Sequence, residues 1–160
     1  GERNARSIKE FMVLQEMFEV GLPVPRPIAA RVKRQGIFYS CDLITSRIDN
    51  SSSMGDLLKK DSMSSDLWKN IGSCIASFHM KGFYHHDLNI ENILIDSDQN
   101  VFLLDFDRAL QMDPINSMAQ KNINRLQRSL NKNFSNPSKP FPKAEWEILI
   151  AEHSKQLNQD

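Results

Sequence analysis

Apolar residues recur at helical spacing in several stretches of the chain, separated by short runs of strand-forming residues. In residues 1–21, Ile8, Phe11, Leu14, Met17 and Phe18 share a helical period, and Gly21 supplies a stop. LPVPRP follows, and its alternating prolines favour an extended connector over more helix. Residues 27–32 and 36–48 are rich in strand formers around a turn at 33–36, so a hairpin is expected, with the charged stretch 31–35 as an exposed loop. Ser and Asp residues in DNSSSMGDLL offer caps for a short helix over 54–59. SSDLWKNIGSCIASFHMKG predicts a stronger helix, with Leu67, Ile71, Cys74, Ile75 and Phe78 in one stripe and Gly82 at its end. NILID and VFLLDF flank SDQN, which has the composition of a hairpin turn. The remainder predicts a polar helix over 117–132, a loop containing Pro137, Pro140 and Pro142, and a last helix over 143–157. Hairpins interleaved with helices in this order predict an α+β fold.

Composition narrows what such a fold can be asked to do. The 160 residues are 40% hydrophobic and 25% charged, the balance of one globular domain with a buried core. Twenty Lys and Arg offset twenty Asp and Glu, so no global field recruits nucleic acid or an anionic membrane, and an anionic ligand must be held locally. Cys41 and Cys74 have no CxxC spacing and are expected to be buried free thiols in a reducing cytoplasm. No apolar run approaches the roughly 18 residues that span a bilayer, so any membrane is touched from outside. There is no internal repeat, and only residues 131–139 have a biased, Asn/Ser/Lys/Pro composition.

The chemistry gathers where helix gives way to hairpin. HHDLNIENILIDSDQNVFLLDFDRA sets Asp87, Asn92 and Asp105 at intervals that suit phosphoryl transfer. A loop Asp can orient a substrate hydroxyl and accept its proton, while an Asn oxygen and a second carboxylate are hard ligands for Mg²⁺ on ATP phosphates. A lone Asp or Asn ordinarily caps a turn, and DFD occurs by chance. Here the spacing, the apolar NIL after the Asn, the apolar VFLL before the second Asp and the preceding amphipathic helix agree with one another.

The segment resembles the catalytic-loop and metal-binding signature of the protein-kinase-like superfamily, H-R-D-L-x-x-x-N followed by D-F-G. His86 stands at the Arg of that pattern, Asn89 at the Lys typical of Ser/Thr kinases and Asp107 at the Gly, and no A-P-E follows. These departures favour small-molecule and lipid-sugar kinases over protein kinases. More closely, ARSIKEFMVLQEMFEVGLPVPRPIAARV, YSCDLIT, HHDLNIENILID, LLDFDRA and NINRLQRSL resemble the 3-deoxy-D-manno-octulosonic acid (Kdo) kinase family of Gram-negative lipopolysaccharide assembly.

That resemblance implies a kinase-like fold, with residues 1–48 as the remnant of an N-terminal lobe and 49–160 as the C-terminal lobe. It implies ATP and Mg²⁺ as cofactors and a Kdo-lipid A glycolipid as acceptor, handled in the cytoplasm at the inner membrane. Asp87 would be the base, Asn92 and Asp105 the metal ligands, Leu94 and Leu104 the apolar bed under adenine, and Glu10 the helix glutamate that pairs with a basic strand residue. His85 is expected to be structural. Arg108, Arg125 and Arg128 are candidates for gripping the acidic saccharide, because guanidinium pairs bidentately with carboxylates and phosphates.

Neither a Gly-rich phosphate loop nor a strand with a basic residue precedes the first helix, so the sequence is expected to be the later two-thirds of a longer kinase. Two other readings remain open at this point. One is a pseudokinase binding module, against which the joint presence of Asp87, Asn92 and Asp105 argues. The other is an antibiotic, choline or heptose type of small-molecule kinase.

Overall fold

The computed structural model describes residues 6–36, 38–106, 110–111, 116–134 and 140–158. Helix α1 (Arg6–Glu19) turns Ser7, Leu14 and Met17 inward. Phe18, expected on that stripe, is 44% exposed, because it lies a further 100° around the helix from the buried Met17. The helix stops at Gly21, whose φ of +77° allows Leu22 N–H to reach back to Met17 O at 2.9 Å and drives the Leu22 side chain into the core.

The extended connector then leads into β1 (Pro27–Gln35), which pairs antiparallel with β2 (Phe38–Thr45). The pairing runs on through Lys33 and Gln35, where a loop was expected, and the turn is correspondingly shorter. Charge does not oppose a ladder whose outer face meets solvent. Arg31 sits directly opposite Asp42 and pairs with it at 2.6 Å.

The core lies beyond this hairpin. Strand β3 (Ser52–Ser53) leads directly into α2 (Met54–Lys59), capped by the Ser53 hydroxyl accepting from Asp56 N–H at 3.1 Å. Helix α3 (Ser65–Met80) buries Leu67, Ile71, Ile75 and Phe78 as expected, and Trp68 with them. Strand β5 (Ile93–Ile95) is flanked by β3 and by β6 (Val101–Leu103), while β4 (Phe83–Tyr84) pairs with β7 (Leu110–Gln111). Helices α4 (Asn116–Asn133) and α5 (Lys143–Leu157) complete the order, close to the boundaries read from sequence. The arrangement is α+β with antiparallel strand pairs throughout.

Helices α3 and α5 approach so closely that a Cβ on Gly72 would run into the Leu149 carbonyl. Only hydrogen fits between them there. Further along the same interface, His153 of α5 meets His79 of α3 at 2.9 Å, and His79 in turn meets Asn122 Oδ1 of α4 at 3.2 Å. A carboxamide oxygen only accepts, so His79 carries its proton on Nε2 and its Nδ1 accepts from His153 Nε2–H. Both imidazoles are neutral. Burial pushes both down from the ordinary 6.5 to about 4; at His79 the Asn122 contact opposes this shift in part. Cys74 is a free thiol whose S–H points to Val101 O at 3.6 Å, and burial pushes it up to about 12. Cys41 is also free, and both residues are half-buried rather than fully enclosed.

The histidines tie stability to pH with a definite sign. Between pH 6.5 and about 4 the unfolded chain takes up protons that the folded chain refuses, so their contribution is complete above pH 6.5 and is lost as pH falls toward 4. Urea unfolding measured from pH 8 to pH 4 should show a plateau, then a decline below 6.5. The decline should be shallower in a His79→Gln, His153→Gln double variant. An equally steep decline in that variant would refute the assignment.

Candidate active site

The segment from His85 to Asn92 is irregular backbone inside a folded core, and each of its polar groups needs a partner. Asn122, on the inward face of α4, supplies two of them. Its Oδ1 accepts His85 N–H at 2.9 Å and its Nδ2 donates to His85 O at 3.0 Å. The His85 ring supplies two more. Nε2–H donates to Leu104 O at 2.6 Å and Nδ1 accepts Asp87 N–H at 3.1 Å, which fixes a single neutral tautomer. Burial lowers the His85 pKa, opposed by the Leu104 contact and then by the charges of Asp105 and Asp87. His85 therefore spaces the loop from the strand end as a structural residue, as its sequence position implied.

Asn89 closes the loop on itself. Its Oδ1 accepts from the backbone of Glu91 at 2.9 Å and of Asn92 at 3.1 Å, and its Nδ2 reaches Asp87 O at 3.0 Å. On the far side, Gly55 N–H donates to Ile90 O at 3.1 Å and the Ser53 hydroxyl donates to Glu91 at 2.8 Å, so α2 braces the loop. Hairpin β5–β6 sets the second half of the site. Ile93 pairs with Leu103, and Leu104 N–H donates to Asn92 O at 2.9 Å, which brings Asn92 and Asp105 to the same end of the ladder. Asp105 has φ +60°, an uncommon state for a residue with a side chain. Phe106 behind it is buried against Phe78 and His85, with ring centroids 5.4 and 4.7 Å away.

Asp87, Asn92 and Asp105 thus share one open cleft of about 500 Å³. Helix α4 forms the facing wall with Ser129, Lys132 and Asn133. Asn92 Nδ2 donates to Asp87 O at 3.0 Å, and because a carbonyl can only accept, the side-chain oxygen is the atom left for a cation. A carboxylate and an amide oxygen suit Mg²⁺, which takes few protein ligands and keeps waters or phosphates for the rest. Among the described residues no group of three or more His, Cys, Asp or Glu forms a dedicated metal cage.

The other residues expected at the site are distributed unevenly. Arg125 donates from Nη1 to Asp87 Oδ1 at 2.8 Å. Arg128 is exposed and does not line the cleft, and Arg108 lies outside the described residues. Glu10 is half-buried on α1 and is not on the cleft wall. Leu94 and Leu104 are half-buried, while Ile93, Ile95 and Leu103 point to the core. Strand alternation places Phe102 on the same outer face as Leu94, a residue the sequence reading passed over. It also passed over Asn122 and Lys132. Asn122 carried a readable signal, a polar residue at the spacing of the buried positions Ala119, Ile123, Leu126 and Leu130.

Solved structures with this arrangement include crystal structures of WbdD. Monomeric WbdD matches with TM-score 0.60 at 17% identity over 96% of this chain and 38% of its own, and a 2.2 Å structure of WbdD matches with TM-score 0.58. At that identity the likeness is one of fold. Closer in sequence are 3-deoxy-D-manno-octulosonic acid kinases. That of Vibrio vulnificus CMCP6 is 38% identical over 94% of this chain and 64% of its own length. Those of Vibrio cholerae (39%, over 82% of this chain and 56% of its own) and Haemophilus influenzae 86-028NP (37%, over 91% and 62%) are similar. The chain thus spans about three fifths of the length of these relatives. The model of the lipopolysaccharide kinase (Kdo/WaaP) family matches residues 3–153. With nearly every described element inside that match, the chain belongs to the lipopolysaccharide kinase (Kdo/WaaP) family.

Proposed function

We propose that this chain is the catalytic part of a kinase that transfers phosphate from ATP to a hydroxyl of a Kdo sugar on a lipid A precursor. The observation that carries this reading is the convergence of Asp87, Asn92 and Asp105 on one cleft in a member of this family. A pseudokinase module has no use for all three groups in one place. In this reading residues 1–48 belong to the lobe over the nucleotide and 49–160 to the lobe that carries the chemistry. No described helix is long and apolar enough to cross a membrane. In this reading the lipid-borne acceptor is met peripherally, on the cytoplasmic face of the inner membrane.

Asp87 accepts the proton of the attacking hydroxyl. Its Oδ1 is held by Arg125, and its Oδ2 has only the longer 3.3 Å contact from Asn89, so Oδ2 is the oxygen turned to substrate. Asn92 Oδ1 and the Asp105 carboxylate would hold Mg²⁺, which would supply positive charge to offset that of the ATP phosphates. Leu94, Leu104 and Phe102 offer an apolar bed for adenine, and Glu10 pairs with a basic group of the nucleotide lobe. Arg125 and Asp87 are partly exposed, 41% and 59%, so their pairing is worth only about 0–1 kcal/mol of stability. Its value lies in orienting the base.

Three measurements test these roles, made on the natural full-length protein with ATP and a Kdo-lipid A precursor. Asp87→Ala should abolish transfer and leave ATP binding close to wild type, because a base acts in the transition state. Wild-type turnover would end the assignment. Asn92→Ala and Asp105→Ala should each shift the Mg²⁺ titration of activity to higher concentration, Asp105→Ala further, since it removes charge as well as a ligand. Superimposable titrations would contradict the ligand roles. Arg125→Ala should lower kcat about tenfold or more with the ATP KM unchanged, and Arg125→Lys should recover part of it. A rise confined to the saccharide KM would instead assign Arg125 to the acceptor.

A further inference from the structure

The two oxygens of the Asp87 carboxylate are held by different elements. Arg125 of α4 donates to Oδ1 at 2.8 Å, and Asn89 Nδ2, within the loop, stands 3.3 Å from Oδ2. The Asp87 backbone is fixed as well. Its N–H is accepted by the His85 ring, and its C=O takes the amides of both Asn89 and Asn92 at 3.0 Å. What remains to be set is the direction of Oδ2.

Resting on the role of base proposed above for Asp87, we propose that Asn89 is a positioning residue that aims Oδ2 at the acceptor hydroxyl. Its carboxamide works in two halves. Oδ1 accepts Glu91 N–H at 2.9 Å and Asn92 N–H at 3.1 Å, which excludes the flipped amide, whose NH₂ would face two N–H donors. The nitrogen is thereby turned to Asp87. Its two hydrogens have two targets, Asp87 O at 3.0 Å and Oδ2 at 3.3 Å. The second contact is long, as catalytic hydrogen bonds often are before substrate binds, and it leaves Oδ2 a lone pair for the incoming proton.

The loop keeps its place without Asn89. Asn122 grips His85, the Ser129 hydroxyl accepts Ile90 N–H at 3.2 Å, Gly55 N–H donates to Ile90 O at 3.1 Å, and Leu104 N–H donates to Asn92 O at 2.9 Å. A change at position 89 therefore reaches the carboxylate before it reaches the fold. Substitution can also separate the two halves of the amide. Asp has the shape of Asn and keeps the accepting oxygen, but it sets a second carboxylate oxygen against Asp87 O and Oδ2. Ser accepts at the turn more weakly through its hydroxyl and has no arm to reach Oδ2. Ala does neither.

The test compares wild type, Asn89→Asp, Asn89→Ser and Asn89→Ala in the natural full-length protein, with Asp87→Ala as control. The measurements are kcat, the KM of ATP and of a Kdo-lipid A precursor, and the melting temperature. Asn89→Ser and Asn89→Ala should lower kcat about tenfold, as loss of a hydrogen bond to a charged group does, with both KM values within about twofold of wild type. Asn89→Asp should lower kcat further, about a hundredfold, because like charges repel, yet melt closer to wild type than Asn89→Ala. The variant closest in shape is then the slowest, an order that a purely structural role does not produce. Wild-type kcat in Asn89→Ser, or a kcat that follows melting temperature with Asn89→Asp the mildest, would overturn the proposal. Wild-type turnover in Asp87→Ala is a different result, which removes the base assignment and the positioning role with it. Loss of turnover in Asp87→Ala beside full turnover in Asn89→Ser removes the positioning role alone.

Discussion

The carboxamide of Asn122 holds both backbone groups of His85, and the geometry of the cleft follows from that grip. An irregular loop in a core must have its N–H and C=O groups met by something other than a ladder. One side chain meets two of them, from the buried face of the long helix α4. The ring of His85 then passes this constraint in two directions, to Asp87 through Nδ1 and to Leu104 through Nε2. Asp87 and the strand end that precedes Asp105 are thus spaced by one imidazole with one available tautomer. Two further histidines extend the chain of contacts to α5, so that the last helix is joined to the loop that carries Asp87.

Much of this fold was legible because its signals are local. Helices α2 and α3 have serine caps, and the hairpin around SDQN has both runs and a turn. The three central residues of the site were legible for the same reason, since a loop and one hairpin carry them all. What escaped was set by tertiary contact. The ladder of β1 and β2 outlasts its apolar pattern because a cross-strand pair such as Arg31 with Asp42 tolerates solvent. Phe18 kept the helical period and lost burial, since a period gives the existence of a face and not its width. Asn122 acts across 37 residues of sequence, and only the docking of α4 reveals what it faces.

Arg125 shows how the same position changes meaning between sequence and structure. In sequence it is one of several basic residues on a polar helix, equivalent to Arg128. In the fold the two diverge: Arg125 meets the loop, while Arg128 is exposed. Its guanidinium is engaged with the Asp87 carboxylate. The cleft then combines an acidic floor with a helical wall of Ser129, Lys132 and Asn133, so its two sides belong to different elements.

Hairpin β5–β6 has one more consequence. Its register, Ile93 to Leu103, is fixed by the buried side chains at the end next to the cleft, whereas the turn is closed by Asp96 through its own contacts to Asp98 and Asn100 at 2.9 Å. The two ends are therefore independent. Residues 97–100 are exposed and far along the strands from Asn92 and Asp105. This tip is a natural point for lengthening the chain, whether by evolutionary insertion or by a grafted fluorophore or epitope, without moving Asn92 and Asp105.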